Sequence, residues 1–230
     1  VPEVASRAHL DAIDLVIPQA LREADIEPAD LTGIAVTRGP GLQGALLVGV
    51  AAAKALGFAW DLPVVGVNHL TGHLNSCFLD RDDEPAFPAL VLLVSGGHCL
   101  LATVESRGRY EIIGQTVDDS VGEAYDKVAR FLGLGYPGGP VIDRLATQGD
   151  AAAIAFPRSM LHDGLEFSFS GLKTSVVNHV RRNPDVTATD VAASFQEAVV
   201  DVLVAKARRA AGAIGASAMS LAGGVAANSR

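Results

Sequence analysis

The chain has 230 residues, enough for one large domain or two smaller ones. Hydrophobic residues make up 49% of it, which excludes an intrinsically disordered chain and predicts a sizeable core. The net charge of −8 argues against a broad basic surface that grips nucleic acid unaided. A nucleic-acid substrate would therefore need local basic patches or a partner protein to present it.

The sequence also predicts a cytoplasmic protein without a membrane anchor. No apolar run approaches the roughly 18 residues that span a bilayer, and Glu3, Arg7 and His9 interrupt residues 1–10, so no signal peptide is visible. Cys77 and Cys99 show neither disulfide nor metal-ligand spacing, as expected in a reducing compartment. Because the first predicted element is a helix and residues 228–230 follow a strand-to-glycine turn, we expect the chain to be truncated at both ends.

The first part of the chain predicts helices that alternate with short strands. Apolar residues at helical spacing predict a helix over 5–26, with a kink or break at Pro18. A strand over 33–37 and a buried helix over 42–58, rich in Ala and Gly, follow. A second strand over 64–67 then runs into the next helix.

The second part of the chain begins after a charged segment over 80–88 that contains two prolines. We take this segment as the boundary between a first α/β lobe, 1–88, and a second, 89–230. In the second lobe the apolar runs predict strands over 89–94, 100–104, 110–116 and 217–221, a short strand from Phe167, and helices over 121–132, 172–182 and 190–211. The fold class is therefore α/β.

Two histidines, His69 and His73, stand four residues apart on the predicted helix that Asn68 caps. This spacing places both imidazoles on one helix face, where two nitrogens can reach one ion. The alternative is a chance pair of surface histidines. No Glu follows His69, so the zinc-protease pattern is absent. A third ligand is needed and is expected beyond Arg230.

Glycine-rich turns supply the other candidate site. Ser95-Gly96-Gly97 follows a buried strand, and such a turn can direct backbone amides at an anion; an ordinary hairpin turn is the alternative. Asp126 and Asp143 offer carboxylates to ribose hydroxyls, and Gly139 allows a close backbone approach. Asn228, after a second glycine pair, can read a base or a ribose. Each piece taken alone also fits a plain surface helix or a tight loop.

Five strings in this order resemble the tRNA adenosine threonylcarbamoyltransferase family. They are NHLTGH, LLVSGGH, DDSVGEAYDKVARFLGLGYPGGPVID, FSFSGLKT and LAGGVAAN. The resemblance implies the actin/Hsp70/sugar-kinase type of fold, with two α/β lobes around a nucleotide cleft. It also implies an acyltransferase that moves threonylcarbamoyl from threonylcarbamoyl-AMP to N6 of adenosine 37 in tRNAs reading ANN codons.

The resemblance carries over to single residues of this chain. His69 and His73 match the family's metal-ligand histidines, and a late Asp would complete the site. The positions that match the family's donor-binding and adenylate-binding residues are Leu93, Val94, Ser95, Gly96, Gly97, Asp126, Gly139, Asp143 and Asn228. No catalytic residue is assigned beyond the metal. Leu93 stands where the archaeal and eukaryotic branch has Tyr, so the chain resembles the bacterial branch.

The resemblance also implies a cofactor and partners. It favours one divalent iron ion, and zinc is compatible with imidazole ligands. The partners are tRNA, threonylcarbamoyl-AMP, an inactive paralogue of the same fold and a small P-loop ATPase, with no membrane. Two other interpretations stay open: an ATPase or small-molecule kinase of the same fold, and a non-catalytic scaffold paralogue, which would have no chemical need for the histidine pair.

Overall fold

A computed structural model describes residues 2–79 and 85–230. It divides into two compact units, Val1–His73 and Leu74–Arg230, and the division falls within one short helix. The boundary predicted over 80–88 falls partly outside the described residues, because residues 80–84 are not among them. The two-lobe division at that segment stays a prediction. Among the described residues, no helix is long and apolar enough to cross a membrane.

Unit 1 contains a two-stranded parallel sheet joined by a helical crossover. Its elements are α1 (Pro2–Ala24), β1 (Ile34–Gly39), α2 (Gln43–Ala59), β2 (Val64–Asn68) and the beginning of α3 (His69–Asn75). Strands β1 and β2 are parallel, with Ile34 opposite Val64. A parallel pair needs a crossover connection, which α2 supplies. The side-chain oxygen of Asn68 accepts a hydrogen bond from the Leu70 amide at 2.8 Å, which confirms the predicted cap of α3.

Two expectations for unit 1 are corrected. Helix α1 runs through Pro18 without the break that the sequence allowed. Helix α2, predicted to be buried, buries only Ala53 and Gly57, and the side chain of Phe58 is 92% exposed. The physical reason is that the described residues of unit 1 supply only two strands and one other long helix, too little surface to cover both faces of an apolar helix.

Unit 2 contains a mixed four-stranded sheet in the order β5-β4-β3-β6. Its strands are β3 (Ala89–Val94), β4 (Cys99–Ser106), β5 (Arg109–Gln115) and β6 (Ala218–Ala222). Strands β3, β4 and β5 form an antiparallel succession, and β6 pairs in parallel with the other edge of β3. Every residue of β3 is buried, as its unbroken apolar sequence predicts.

The described residues of unit 2 also form four longer helices: α4 (Val121–Phe131), α5 (Gly138–Ala146), α6 (Ser170–Arg182) and α7 (Ala188–Ile214). Helix α7 packs against α5, α6 and strands β3 and β4, so it forms the centre of the unit. Side chains buried in this core include Tyr125, Phe167, Phe169 and Phe195. The α/β class is confirmed. Because the loops that end β3 and β6 lie on neighbouring strands, the fold brings distant glycine turns together.

The predicted short strand from Phe167 is wrong. Phe167 makes a single isolated bridge to Thr116, and helix α6 already begins at Ser170. Asp118 accounts for this early start, since its carboxylate accepts hydrogen bonds from the Ser168 hydroxyl at 2.6 Å and the Phe169 amide at 2.8 Å. These hydrogen bonds to a side chain take the place of the backbone hydrogen bonds that would pair this segment with a neighbouring strand.

We expect Asp118→Ala to destabilise unit 2 by about 1 kcal/mol at pH 7, a low value because this side chain is exposed. Partial burial acts to raise the pKa of Asp118, but the hydrogen bonds from Ser168, Phe169 and Ser170 outweigh it and lower that pKa. A lowered carboxyl pKa stabilises the fold above the unfolded value, near 3.9, and the effect disappears as the pH falls through the folded value.

Urea denaturation at pH 7 and at pH 3 measures this difference. The gap between the wild type and Asp118→Ala should narrow at the lower pH. Asp185→Ala, at another exposed aspartate, is the matched control and should change the unfolding midpoint little at either pH. A gap that is constant with pH would show that the ionised carboxylate is not the stabilising form.

Candidate nucleotide site and histidine pair

A cavity of about 500 Å³ lies in unit 2, where the ends of β3 and β6 meet helices α4 and α5. Its size suits a small-molecule ligand. It is lined by Gly96, Gly122, Tyr125, Asp126, Tyr136, Pro137, Gly139, Pro140, Asp143, Arg144, Gly224, Val225, Ala227 and Asn228. Six of these fourteen residues are glycine or proline. The lining also includes two carboxylates (Asp126 and Asp143), one guanidinium group (Arg144) and one side-chain amide (Asn228).

The turn between β3 and β4 forms one side of the cavity. The Ser95 amide donates to the His98 carbonyl oxygen at 2.8 Å, so residues 95–98 close a hairpin, which was the alternative for this string. The Ser95 side-chain oxygen accepts from the His98 amide at 3.0 Å and is buried, which leaves Gly96 and Gly97 as the exposed residues of the turn. Since the Ser95 amide is already bonded to His98, Gly96 and Gly97 are the residues of this turn whose amides remain candidates for binding an anion.

Helix α4 begins directly against this turn. A Cβ atom on Gly122 would lie 2.7 Å from the Gly96 Cα atom, closer than any side chain tolerates. The Ser120 hydroxyl, which caps α4, also donates to the Gly96 carbonyl oxygen at 2.7 Å. The absent side chain at Gly122 thus allows the helix to hold the hairpin turn in place.

Asp126 positions the loop on the opposite side. Its carboxylate accepts a hydrogen bond from the Gly138 amide at 2.7 Å, where α5 begins. A carboxylate at the first turn of a helix is favoured by the helix dipole. Asp126 therefore lines the cavity and also fixes the glycine-proline loop that carries Tyr136.

Asp143 and Asn228 reach the cavity from α5 and from the segment after β6. The Asp143 carboxylate accepts from the Ser229 hydroxyl at 2.8 Å and from the Gln196 amide at 3.1 Å. The Asn228 amide donates to the Gln196 side-chain oxygen at 2.8 Å. Burial raises the pKa of Tyr125, and the nearby Asp143 charge raises it further, so this phenol stays protonated.

The histidine pair lies in α3 of unit 1, as the spacing predicts. The ring centroids of His69 and His73 are 4.5 Å apart, with the ring planes inclined at 65°. Partial burial, and then the neighbouring His69, lower the pKa of His73, which favours the neutral form that binds metals. Among residues 2–79 and 85–230, no group of three His, Cys, Asp or Glu side chains could hold an ion. The pair can supply two imidazole ligands and requires a further one.

The structure brings together five of the nine predicted nucleotide-site residues. Gly96, Asp126, Gly139, Asp143 and Asn228 all line the cavity. Leu93 and Val94 are buried within β3, and their side chains pack inside the unit. Ser95 and Gly97 belong to the hairpin turn but are not among the lining residues.

Several residues of this region were not predicted from the sequence, among them Tyr136, Arg144 and Gln196. Tyr136 lines the cavity with a side chain that is 81% exposed, and its place before a Pro-Gly-Gly-Pro loop was the available signal. Arg144 also lines the cavity, next to the predicted Asp143. Gln196 had no signal, because only the packing of α7 against α5 brings it to Asp143.

Comparison with known proteins identifies the family. The family model described as TsaD, tRNA N6-adenosine threonylcarbamoyltransferase, matches residues 1–230. The chain belongs to this family. The resemblance based on the five sequence strings is thereby confirmed.

Two relatives carry the same name, tRNA N6-adenosine threonylcarbamoyltransferase. The protein of Geobacter metallireducens is 57% identical over 234 residues, which cover 100% of this chain and 68% of that protein. The protein of Halalkalibacterium halodurans is 53% identical, covering 99% of this chain and 67% of that protein. Among solved structures, YeaZ from Pseudomonas aeruginosa matches with a TM-score of 0.34 at 17% identity, covering 45% of this chain and 53% of that one. That score is too low to support a conclusion.

As a member of the threonylcarbamoyltransferase family, the chain is a transferase. The glycine turns of the cavity belong to strings that marked the family, namely LLVSGGH, the YPGG segment and LAGGVAAN. The family strings thus converge in space although the first and the last of them are more than a hundred residues apart along the chain.

Proposed function

We propose that the cavity of unit 2 binds the adenylate of threonylcarbamoyl-AMP. The enzyme transfers the threonylcarbamoyl group from this donor to N6 of adenosine 37 in tRNAs that read ANN codons. One observation carries the proposal: five residues that match the family's donor-binding and adenylate-binding positions line a single cavity of suitable size. The enzyme class rests on the family membership.

The lining residues suggest how the donor is held. The amide of Gly96, which lines the cavity, suits the phosphate, and Gly97 lies beside it in the same exposed hairpin turn. Asp126 and Asp143 suit the ribose hydroxyls. The exposed ring of Tyr136 suits stacking on adenine, because an aromatic face is a general platform for a base.

The reaction is an acyl transfer. The adenine amine is a weak nucleophile, since its lone pair is delocalised into the ring, so the carbamoyl carbonyl must be made more electrophilic. The new N–C bond forms as the C–O bond to the phosphate breaks, AMP leaves as the anion, and the proton that the amine loses passes to solvent water. The role of the cavity is to hold the phosphate and ribose still while this exchange occurs, which lowers the entropic part of the barrier.

A divalent ion is proposed at His69 and His73. Two neutral imidazoles on one helix face suit iron or zinc, and the family favours iron. When bound, such an ion supplies a Lewis acid that stabilises negative charge on an acyl oxygen. A third ligand, which we propose to be an Asp, would complete the site.

We further propose the two-lobed arrangement of the actin/Hsp70/sugar-kinase type and a cytoplasmic setting, which the reduced Cys77 and Cys99 favour. The partners are tRNA, an inactive paralogue of the same fold and a small P-loop ATPase. The net charge of −8 supports a role for partners in presenting tRNA.

Reconstitution tests the function directly. The enzyme is combined with its partners, threonylcarbamoyl-AMP and an ANN-reading tRNA, and the modified nucleoside is measured by mass spectrometry. Product that depends on threonylcarbamoyl-AMP is expected. Turnover of ATP alone, without any modified tRNA, would instead indicate a kinase or ATPase of the same fold.

In the same assay, Tyr136→Ala should raise the KM for threonylcarbamoyl-AMP. Loss of one stacking contact costs about 1–3 kcal/mol, or roughly 5- to 150-fold. Tyr136→Phe keeps the ring and is the matched control, with a KM near that of the wild type. If both variants lose affinity equally, the hydroxyl group and not the aromatic face is what matters.

A further inference from the structure

Gln196 occupies a buried position behind the cavity. It lies on α7 with 4% of its surface exposed. Three residues that line the cavity contact its amide: Tyr125, Asp143 and Asn228. They come from α4, from α5 and from the segment after β6. One side chain therefore joins three separate elements of the cavity wall.

The three contacts require a group that both donates and accepts. The Gln196 Nε2 atom donates to the Asp143 carboxylate at 3.1 Å. Its Oε1 atom accepts from Asn228 Nδ2 at 2.8 Å and from the Tyr125 hydroxyl at 3.4 Å. Asn228 is oriented independently, because its Oδ1 atom accepts the Arg230 amide at 3.0 Å. A side-chain amide can make all three hydrogen bonds at once, whereas an ionised carboxylate could not donate the one to Asp143.

We propose that Gln196 is a positioning residue for adenylate binding. It holds the Asp143 carboxylate and the Asn228 amide in the orientation that receives the ribose and the base. This inference rests on the proposed function of the cavity. We therefore expect a substitution at position 196 to weaken donor binding when the new side chain cannot make these hydrogen bonds. The value of kcat should change little.

Gln196→Glu tests this role because the new side chain has the same shape. When ionised, it places a second carboxylate against Asp143, and the two repel each other. When protonated, its O–H can donate to Asp143 while its carbonyl oxygen still accepts from Asn228 and Tyr125. The pair should share one proton at lower pH. Binding by this variant should therefore recover as the pH falls.

Other titratable groups near Gln196 could also make binding depend on pH, so they must be considered. Tyr125 and Asp143 face the amide from α4 and α5. Glu197, the next residue on α7, is paired with Arg230 at 2.7 Å. Among residues 2–79 and 85–230, none of those that line the cavity is a histidine. The wild-type affinity for an uncharged ligand should therefore change little between pH 5.5 and 8, given the usual titration ranges.

Adenosine is the probe, since it lacks a phosphate that would itself titrate near pH 6. Calorimetry is carried out at several pH values from 5.5 to 8. The Gln196→Glu variant should bind about tenfold more weakly than the wild type at pH 8, and within roughly threefold of it at pH 5.5. Equal affinity at every pH, or an equal loss at every pH, would overturn the proposal.

Gln196→Met provides the matched control, because it keeps the length of the side chain without its hydrogen bonds. It should bind adenosine weakly at both ends of the pH range, and full affinity would also overturn the proposal. Thermal unfolding checks that both variants are folded. If the wild type itself binds no adenosine, the proposed function of the cavity fails as well, whereas a binding wild type with a pH-independent Gln196→Glu defect contradicts only the positioning role.

Discussion

The double substitution His69→Ala with His73→Ala is expected to abolish tRNA modification. Both side chains lie on one turn of α3, with ring centroids 4.5 Å apart, so the change removes two proposed metal ligands together. Loss of one electrostatic stabiliser of an acyl-transfer transition state costs about 10²- to 10³-fold in rate. Loss of a metal ion should cost at least roughly 10³-fold.

Two measurements check this expectation. The rate of nucleoside formation should fall to background, and elemental analysis should find no bound iron or zinc in the variant. The fold should be kept, because His69 is exposed and alanine favours a helix. The matched control is His9→Ala with His162→Ala, which removes two exposed histidines elsewhere. Normal modification by the α3 variant would show that the pair holds no catalytic ion.

The second large effect is expected from Gly223→Ala, at the end of β6. Gly223 has a φ angle of +93°, a conformation that disfavours a side chain. A Cβ atom there would also overlap the Val94 carbonyl oxygen at the end of β3. Strain in the backbone costs about 1–3 kcal/mol and the steric overlap a similar amount. We expect unit 2 to lose roughly 2–5 kcal/mol of stability.

The neighbouring glycine supplies the control for this change. A Cβ atom on Gly224 would meet nothing within 4 Å, and its φ angle is not positive. Gly224→Ala should therefore shift the thermal midpoint by only a few degrees, whereas Gly223→Ala should lower it by roughly 5–15 °C. Similar midpoints for the two variants would mean that the turn can relax without cost.

Local pattern predicted most of the strands and helices of unit 2. The unbroken apolar run of β3 indicated a strand buried on both faces, and every one of its residues is buried. Helix α4 lies over Val121–Phe131, almost as its apolar spacing and the glycine after it indicate. Where pattern failed, a distant partner decided the outcome. Phe167 and Phe169 alternate as in a strand, but Asp118 binds the backbone there and starts a helix instead.

In the candidate site too, some residues could be predicted from the sequence and others depend on tertiary packing. Glycines, carboxylates and one Asn within family strings could be predicted one by one, and five of these residues line the cavity. Gln196 could not be predicted, because it lies within an ordinary amphipathic stretch of α7 and its importance depends on which helices pack against it. The exposure of α2 was also not predicted. The spacing of apolar residues shows that a helix has an apolar surface, but it does not show whether other elements pack on that surface.

The strand order β5-β4-β3-β6 has a consequence for synthesis on the ribosome. Strand β3 emerges early, but the partner for one of its edges, Ala218–Ala222, is translated only after four intervening helices. At roughly 5–20 residues per second this delay is on the order of ten seconds. During that interval the nascent chain carries an apolar strand with an open edge, which can pair with another chain. Slower translation of this stretch should therefore increase its tendency to aggregate.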